Sequence, residues 1–139
     1  MNGLEILIAH PGGPFWARRH AGAWSIIKGE VGRDEDGLEA ARREFAEETG
    51  WVAPSHGFVP LGEVIQKAGK RIVAWAFAAD FDPATLVSNN ATATIRGRSI
   101  SFAEIDEVRW CSESEARDLL NPAQAVYYER LNNALGDVR

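Results

Sequence analysis

The chain has a single cysteine, Cys111, in 139 residues. No disulfide framework can form, and the expected setting is a reducing compartment, the cytoplasm. No apolar run approaches the ~18 residues a membrane-spanning helix needs. The stretch Leu4 to Ala9 is too short, and lacks the basic start, for a signal peptide. No membrane partner is expected. No basic stripe stands out and the net charge is −5, which argues against nucleic acid as a partner. A small polyanion stays open as substrate, because a metal can bring one to an acidic site. His10, His20 and His56 are scattered without zinc-ligand spacing. Gly12-Gly13 lacks the Lys and Ser/Thr of a phosphate-binding loop and reads as a turn. Cys111 has no evident base partner and reads as a half-buried strand residue. There are no repeats, low-complexity tracts or linkers, so residues 1–139 read as one domain with a real core. Monomer and homodimer are both left open.

What is present is a mixture of strand and helix signals. Leu4 to Ala9 reads as a strand broken by His10-Pro11-Gly12-Gly13-Pro14, and Trp24 to Ile27 as a short strand ending at Lys28-Gly29. A helix is predicted from about Gly37 to Glu48, with Gly50 as its cap. Phe58 to Gln66 and Arg71 to Phe81 are strand candidates joined by a turn at Ala68-Gly69-Lys70. The near-continuous apolar run of the second predicts burial on both faces. Asp82 to Arg98 reads as a polar, flexible loop, and Glu107 to Cys111 as the last strand. Ser112 with Glu115 forms a capping box for a helix through Leu120, and Asn121-Pro122 starts another. In that last helix Val126, Tyr127, Arg130, Leu131 and Leu135 give one face, and Tyr127-Tyr128 reads as packing. The class is α/β.

The charge is concentrated. Glu30 to Glu48 holds eight acids and three bases, so this segment alone carries the −5 of the whole chain. No lysine interrupts it at four-residue spacing, as a solvated helix face would have. With Leu38 at 0° and ~100° per residue, Ala41 falls at about 300° and Phe45 at about 340°, which predicts a core stripe of these three. Glu48, Glu44 and Glu47 then fall at about 280°, 240° and 180°, a flank at the rim of a cleft. Arg43, four residues before Glu47, is placed to pair with it. Oxygen-only donors suit hard cations such as Mg²⁺ or Mn²⁺, which commonly work on phosphates.

Gly29, Glu35, Arg43-Glu44-Phe45-Ala46-Glu47-Glu48, Gly50 and Trp51 stand at the spacing of the signature box of the Nudix hydrolases, with every fixed position filled. The chain resembles that family. The resemblance implies a mixed β-sheet between helices, with the box as a loop–helix–loop. It implies Mg²⁺- or Mn²⁺-dependent hydrolysis of a nucleoside diphosphate linked to another group. Glu44, Glu47 and Glu48 would be metal ligands, joined by the Gly29 carbonyl, and Arg43 would orient the glutamates. Two departures stand out. Ile27 occupies the place where many relatives have Pro before Lys-Gly. Only Met1-Asn2-Gly3 precede Leu4, where relatives usually have a further strand, so a truncated N-terminal strand is expected.

The box says little about substrate. The proline of many ADP-ribose hydrolases is missing, since Ile65 and Gln66 stand there. Arg71 to Ala78 resembles a strand of the diadenosine tetraphosphate hydrolases, in which a basic residue meets phosphate and an aromatic ring stacks on adenine. Arg71 and Trp75 are the matching positions; a surface charge and a core residue are the alternative readings. Glu104 matches a further carboxylate of that subgroup, a distal metal ligand or base, with Asp106 and Glu107 as rivals. Arg18, Arg19 and Lys28 flank the glycine-rich turn and are candidates for attracting phosphates or plain surface charges. The expected activity is pyrophosphate hydrolysis in a small-molecule nucleotide, first a dinucleoside polyphosphate such as diadenosine tetraphosphate. The alternatives are a nucleoside triphosphate pyrophosphohydrolase and a non-catalytic nucleotide sensor.

Overall fold

A computed structural model describes residues 3–28 and 36–136. Gly29, Glu35 and the rest of the loop that opens the box lie outside the described residues. Strand β1 (Ile6–Pro11) pairs antiparallel with β6 (Ile105–Cys111), running from Ile6 opposite Cys111 to Pro11 opposite Ile105. The register shifts between His10 and Pro11, where proline has no N–H to offer the ladder. Both faces of this pair are buried. Ile8 and Cys111 pack with Trp24, Leu119, Leu120 and Tyr128; Ala9 and Val108 pack on the other side with Ile105, Leu7, Ile27 and Trp51. Cys111 is therefore fully buried rather than half-buried.

The expected strand at Trp24 to Ile27 reduces to two isolated bridges. Ser25 exchanges both backbone hydrogen bonds with Ala9 (2.8 and 2.9 Å), and Trp24 bridges in parallel to Leu120. The rest of the segment is held by a side chain. Buried Gln124 accepts from the Ile26 N–H (2.8 Å) and donates to Ser25 Oγ and Gln66 Oε1.

Helix α1 (Gly37–Thr49) starts at Asp36, whose carboxylate accepts the Glu39 N–H, and ends at Gly50 with φ 77°, the left-handed cap expected there. Strands β2 (Val59–Ile65) and β3 (Arg71–Ala76) form an antiparallel ladder with a bulge between Pro60 and Gly62. Burial of β3 on both faces is not observed. Ile72 and Ala74 are buried against Val64 and Tyr127, whereas Val73 is 50% exposed. Alternation takes over because one side of this ladder meets the core, while the other is covered only toward Trp75, beside α1.

The expected loop Asp82 to Arg98 is largely structured. A 3-10 turn at Pro83–Thr85 leads into a hairpin of β4 (Asn90–Ile95) and β5 (Arg98–Ala103). Arg96 (φ 52°) and Gly97 (φ 77°) make its two-residue turn, both in the left-handed region that such hairpins need. Its strands are short and carry small polar and apolar residues, which reads in sequence as a loop.

The capping box at Ser112 and Glu115 is present and opens α2 (Glu113–Leu119). Asn121-Pro122 starts a short 3-10 turn, and α3 (Val126–Gly136) follows it. Tyr127 and Tyr128 are the buried residues of α3, and their hydroxyls donate to the carbonyls of Gly62, Ile72 and Leu4. Among the described residues no helix is long and apolar enough to cross a membrane.

Candidate active site

The buried side of α1 differs from the expected stripe. Ala41 is exposed, while Ala40, Glu48 and Thr49 are buried. Phe45 is half-buried in an aromatic cluster with Trp51, Phe77 and Phe81. The core direction thus lies toward the glutamates, and Glu48, 7% exposed, is part of the wall rather than the rim. A helix bends its apolar stripe toward whatever packs on it, and here that partner carries polar groups.

Backbone hydrogen bonds fix that partner. The Val87 N–H donates to the Thr49 carbonyl (2.9 Å) and the Asn89 N–H to the Glu47 carbonyl (3.2 Å), using acceptors that the helix end leaves free. The Asn89 carbonyl accepts the Glu104 N–H (2.9 Å), and the Glu104 carbonyl accepts the Gly12 N–H (2.9 Å). Glu47, Asn89, Glu104 and Gly12 are therefore linked by successive main-chain bonds. Glu104 sits at the bend between β5 and β6, half-buried.

Its carboxylate is felt across the site. Burial pushes the Glu48 carboxyl up to about 7; Glu104 and Glu44 add to the rise, Lys28 opposes it, and Glu47 adds the smallest share. The rivals of Glu104 are engaged elsewhere. Asp106 Oδ1 lies 2.7 Å from His10 Nδ1, and Glu107 pairs with Arg109 at 3.1 Å.

Arg43 Nη1 donates to Glu44 Oε1 (2.9 Å) and to both Glu47 oxygens (3.3 and 3.2 Å), so one guanidinium ties two carboxylates. Among the described residues no three carboxylate, imidazole or thiol groups are already gathered around one point as in a finished metal cage. The donor chemistry nevertheless fits a hard divalent ion. Glu44, Glu47, Glu48 and Glu104 are oxygen donors whose mutual repulsion at Glu48, offset in part by Lys28, a bound divalent cation would relieve.

Lys28 completes the cluster. Its amine is pushed down by burial and by the adjoining Lys70 side chain, and pulled up by Glu48 and Glu104. Lys70 was not among the sequence-derived candidates. Strand parity could have found it, because Lys70 shares the side of Ile72 and Ala74 that faces inward. Arg71 has the opposite parity. It is exposed and paired with Glu63 across the ladder at 2.8 Å. Trp75 shares that side and is half-buried, and its ring tip would lie 3.1 Å from a Cβ added at Gly37. Gly37 is eleven residues before Glu48, about 16 Å along the helix. The structure therefore brings Lys28, Arg43, Glu44, Glu47, Glu48 and Glu104 together and leaves Arg71 and Trp75 apart from them. Burial pushes the Cys111 thiol up to about 11, which makes it inert.

A family model described as NUDIX domain matches residues 5–131. No curated protein matches the chain significantly. Among solved structures, a Caenorhabditis elegans Ap4A hydrolase binary complex is similar at TM-score 0.63 and 18% identity, covering 96% of this chain and 88% of that one. The solution structure of the Escherichia coli ORF135 protein is similar at TM-score 0.62 and 26% identity, covering 100% and 86%. A MutT protein from Methanosarcina mazei Go1 is similar at TM-score 0.58 and 18% identity, covering 94% and 84%. With the domain model spanning nearly the whole chain and the acidic helix docked against Glu104, the chain belongs to the Nudix family and is an enzyme of its pyrophosphohydrolase class.

Proposed function

We propose that the chain hydrolyses a pyrophosphate bond in a nucleotide, using Glu44, Glu47 and Glu48 to hold Mg²⁺ or Mn²⁺. The observation that carries this reading is the placement of the carboxylates: Glu48 is buried, Glu44 and Glu47 share one guanidinium, and Glu104 is tied by main-chain bonds through Asn89 to Glu47. Such an arrangement opposes folding and is retained where charge is needed for chemistry. The Gly29 carbonyl, proposed as a further ligand, lies outside the described residues. When bound, the ion supplies charge neutralisation for phosphoryl oxygens and a water of lowered pKa. Arg43 holds Glu44 and Glu47 in reach of each other. Lys28, with Lys70 beside it, meets the phosphates and offsets their charge. Glu104 receives the proton of the attacking water at its carboxylate, or serves as a more distant ligand.

Within this class a dinucleoside polyphosphate such as diadenosine tetraphosphate is the first substrate proposed, cleaved asymmetrically to ATP and AMP. The resemblance of Arg71 to Ala78 supports it. The pairing of Arg71 with Glu63 favours the second reading, an ordinary or damaged nucleoside triphosphate, because it removes one expected phosphate contact. Retention of every box glutamate speaks against a non-catalytic sensor. Chromatographic separation of the products from a nucleotide panel, with and without Mg²⁺, tests the class: a nucleoside triphosphate should give the monophosphate and pyrophosphate, and diadenosine tetraphosphate should give ATP and AMP. No cleavage of any nucleotide in the presence of Mg²⁺ or Mn²⁺ would sink it.

A further inference from the structure

A groove of about 640 Å³ opens beside the carboxylates, and none of the roles above uses it. The segment from Pro11 to Trp16 forms one wall, and Phe102 with the adjoining β4 strand forms the other; Glu104 lines it as well. The walls are closely built. A Cβ at Gly12 would stand 1.9 Å from the Ala103 carbonyl oxygen, and one at Gly13 (φ +95°) would stand 2.7 Å from the Phe102 ring. Only glycine lets the loop lie this flat against the β5 strand. The loop is pinned behind the groove by His10, whose ring nitrogens lie 2.7 Å from Asp106 Oδ1 and 2.7 Å from the Arg19 carbonyl.

The aromatic rings of this loop are held in place, with Trp16 half-buried and Phe15 open to solvent. Phe15 is 61% exposed, with its ring edge-to-face with Trp16 at 4.9 Å. The Arg19 guanidinium covers one face of Phe15, 4.2 Å from its centroid. Rings fixed in this way are ready to stack on a flat ligand with little further ordering.

We propose that this groove takes the nucleobase of the substrate, with Trp16, Phe15 and Phe102 as the stacking and edge contacts. This rests on the pyrophosphohydrolase reading. Glu104 provides the continuity, because the same residue lines the groove and acts electrostatically on Glu48 and Lys28. A base seated here places its phosphates at that cluster, whereas Trp75 meets α1 at Gly37, in its first turn. The volume falls within the ~300–1,000 Å³ of small-molecule sites, enough for a base and its sugar. A planar heterocycle fits two crossed rings and a flat glycine surface better than a flexible chain does, and every base offers a π face.

The test separates base recognition from hydrolysis. AMP and ribose 5-phosphate are titrated into the ¹⁵N-labelled, metal-free full chain. The indole N–H groups of Trp24, Trp51 and Trp110 are tied to His20, Thr85 and the Phe81 carbonyl, which leaves Trp16 and Trp75 as the informative signals. AMP is expected to shift the Trp16 indole and the Gly12, Gly13 and Phe102 amides saturably, and ribose 5-phosphate is not. In turnover with diadenosine tetraphosphate or ATP, Trp16→Ala should raise KM about tenfold, keep kcat within about twofold, and be rescued by Trp16→Phe. Shifts confined to Trp75 and Gly37, equal shifts with ribose 5-phosphate, or no shifts would each overturn the proposal. The binding arm reads out even if no nucleotide is hydrolysed, so the two readings fail separately.

Discussion

Glu104, at the bend between β5 and β6, is the strongest of the charges that raise the carboxyl of Glu48 on α1, fifty-six positions earlier in the chain. Their proximity is set by the main chain, through Asn89 and the carbonyl of Glu47. The relation makes Glu48 the point where stability and chemistry conflict.

Glu48→Gln should therefore separate the two. On the proposal that it holds the metal, its loss is expected to lower kcat roughly 10²-fold or more at saturating Mg²⁺. Without metal the fold should gain. The carboxyl titrates at about 7 in the native chain against 4.5 as an ordinary glutamate, so the native state holds the proton more tightly. Stability attributable to Glu48 is then lost as pH rises from about 4.5 through 7. Glutamine removes that loss, up to about 3 kcal/mol. Chelator-treated protein melted at pH 8 should show the variant ahead of wild type, with the gap closing near pH 4.5. A variant with wild-type turnover would remove Glu48 from the metal site.

Glu104→Gln should lower kcat roughly 10²-fold if it receives the proton of the attacking water. Glu107→Gln, exposed and paired with Arg109, should stay within about twofold of wild type. Steady-state rates of both variants, with circular dichroism as the fold control, distinguish Glu104 from its neighbour. Equal effects would mean the loop, and not one carboxylate, matters.

Gly12→Ala tests the placement of Glu104. Its new Cβ would meet backbone, the Ala103 oxygen, which cannot swing aside like a side chain. The Gly12 N–H bond to the Glu104 carbonyl should be strained or lost. A destabilisation of about 1–3 kcal/mol is expected, read in a urea titration, together with a fall in kcat. Unchanged stability would show that the loop has room to retreat.

Ile27→Pro introduces the residue that many relatives carry before Lys-Gly, and a proline alone would stiffen the loop. Ile27 instead packs on the cluster of Ala9, Ile105 and Val108. The substitution should destabilise by about 1–2 kcal/mol through lost apolar contact. Thermal melting decides it, and a raised Tm would mean that loop rigidity outweighs the packing.

The features legible in the sequence are those whose cause is local. The cap at Gly50, the box at Ser112 and Glu115, and the spacing of Arg43 with Glu44 and Glu47 each depend on residues within one or two helical turns. A count of charge sufficed to find the acidic helix and the class of ion it suits. Tertiary structure decided what each of these faces. It made Glu48 rather than Ala41 a buried position, where the segment from Val87 to Asn89, just before β4, is hydrogen-bonded to the end of α1. It set Glu104 within electrostatic reach of Glu48, while Asp106 and Glu107 have partners on β1 and β6. It placed Lys70 beside Lys28 and left Arg71 with Glu63, a choice of strand parity that depends on which side of β3 meets the core. Side-chain identity fixes which groups can bind a cation or a phosphate, but which of them meet depends on hydrogen bonds between segments tens of residues apart.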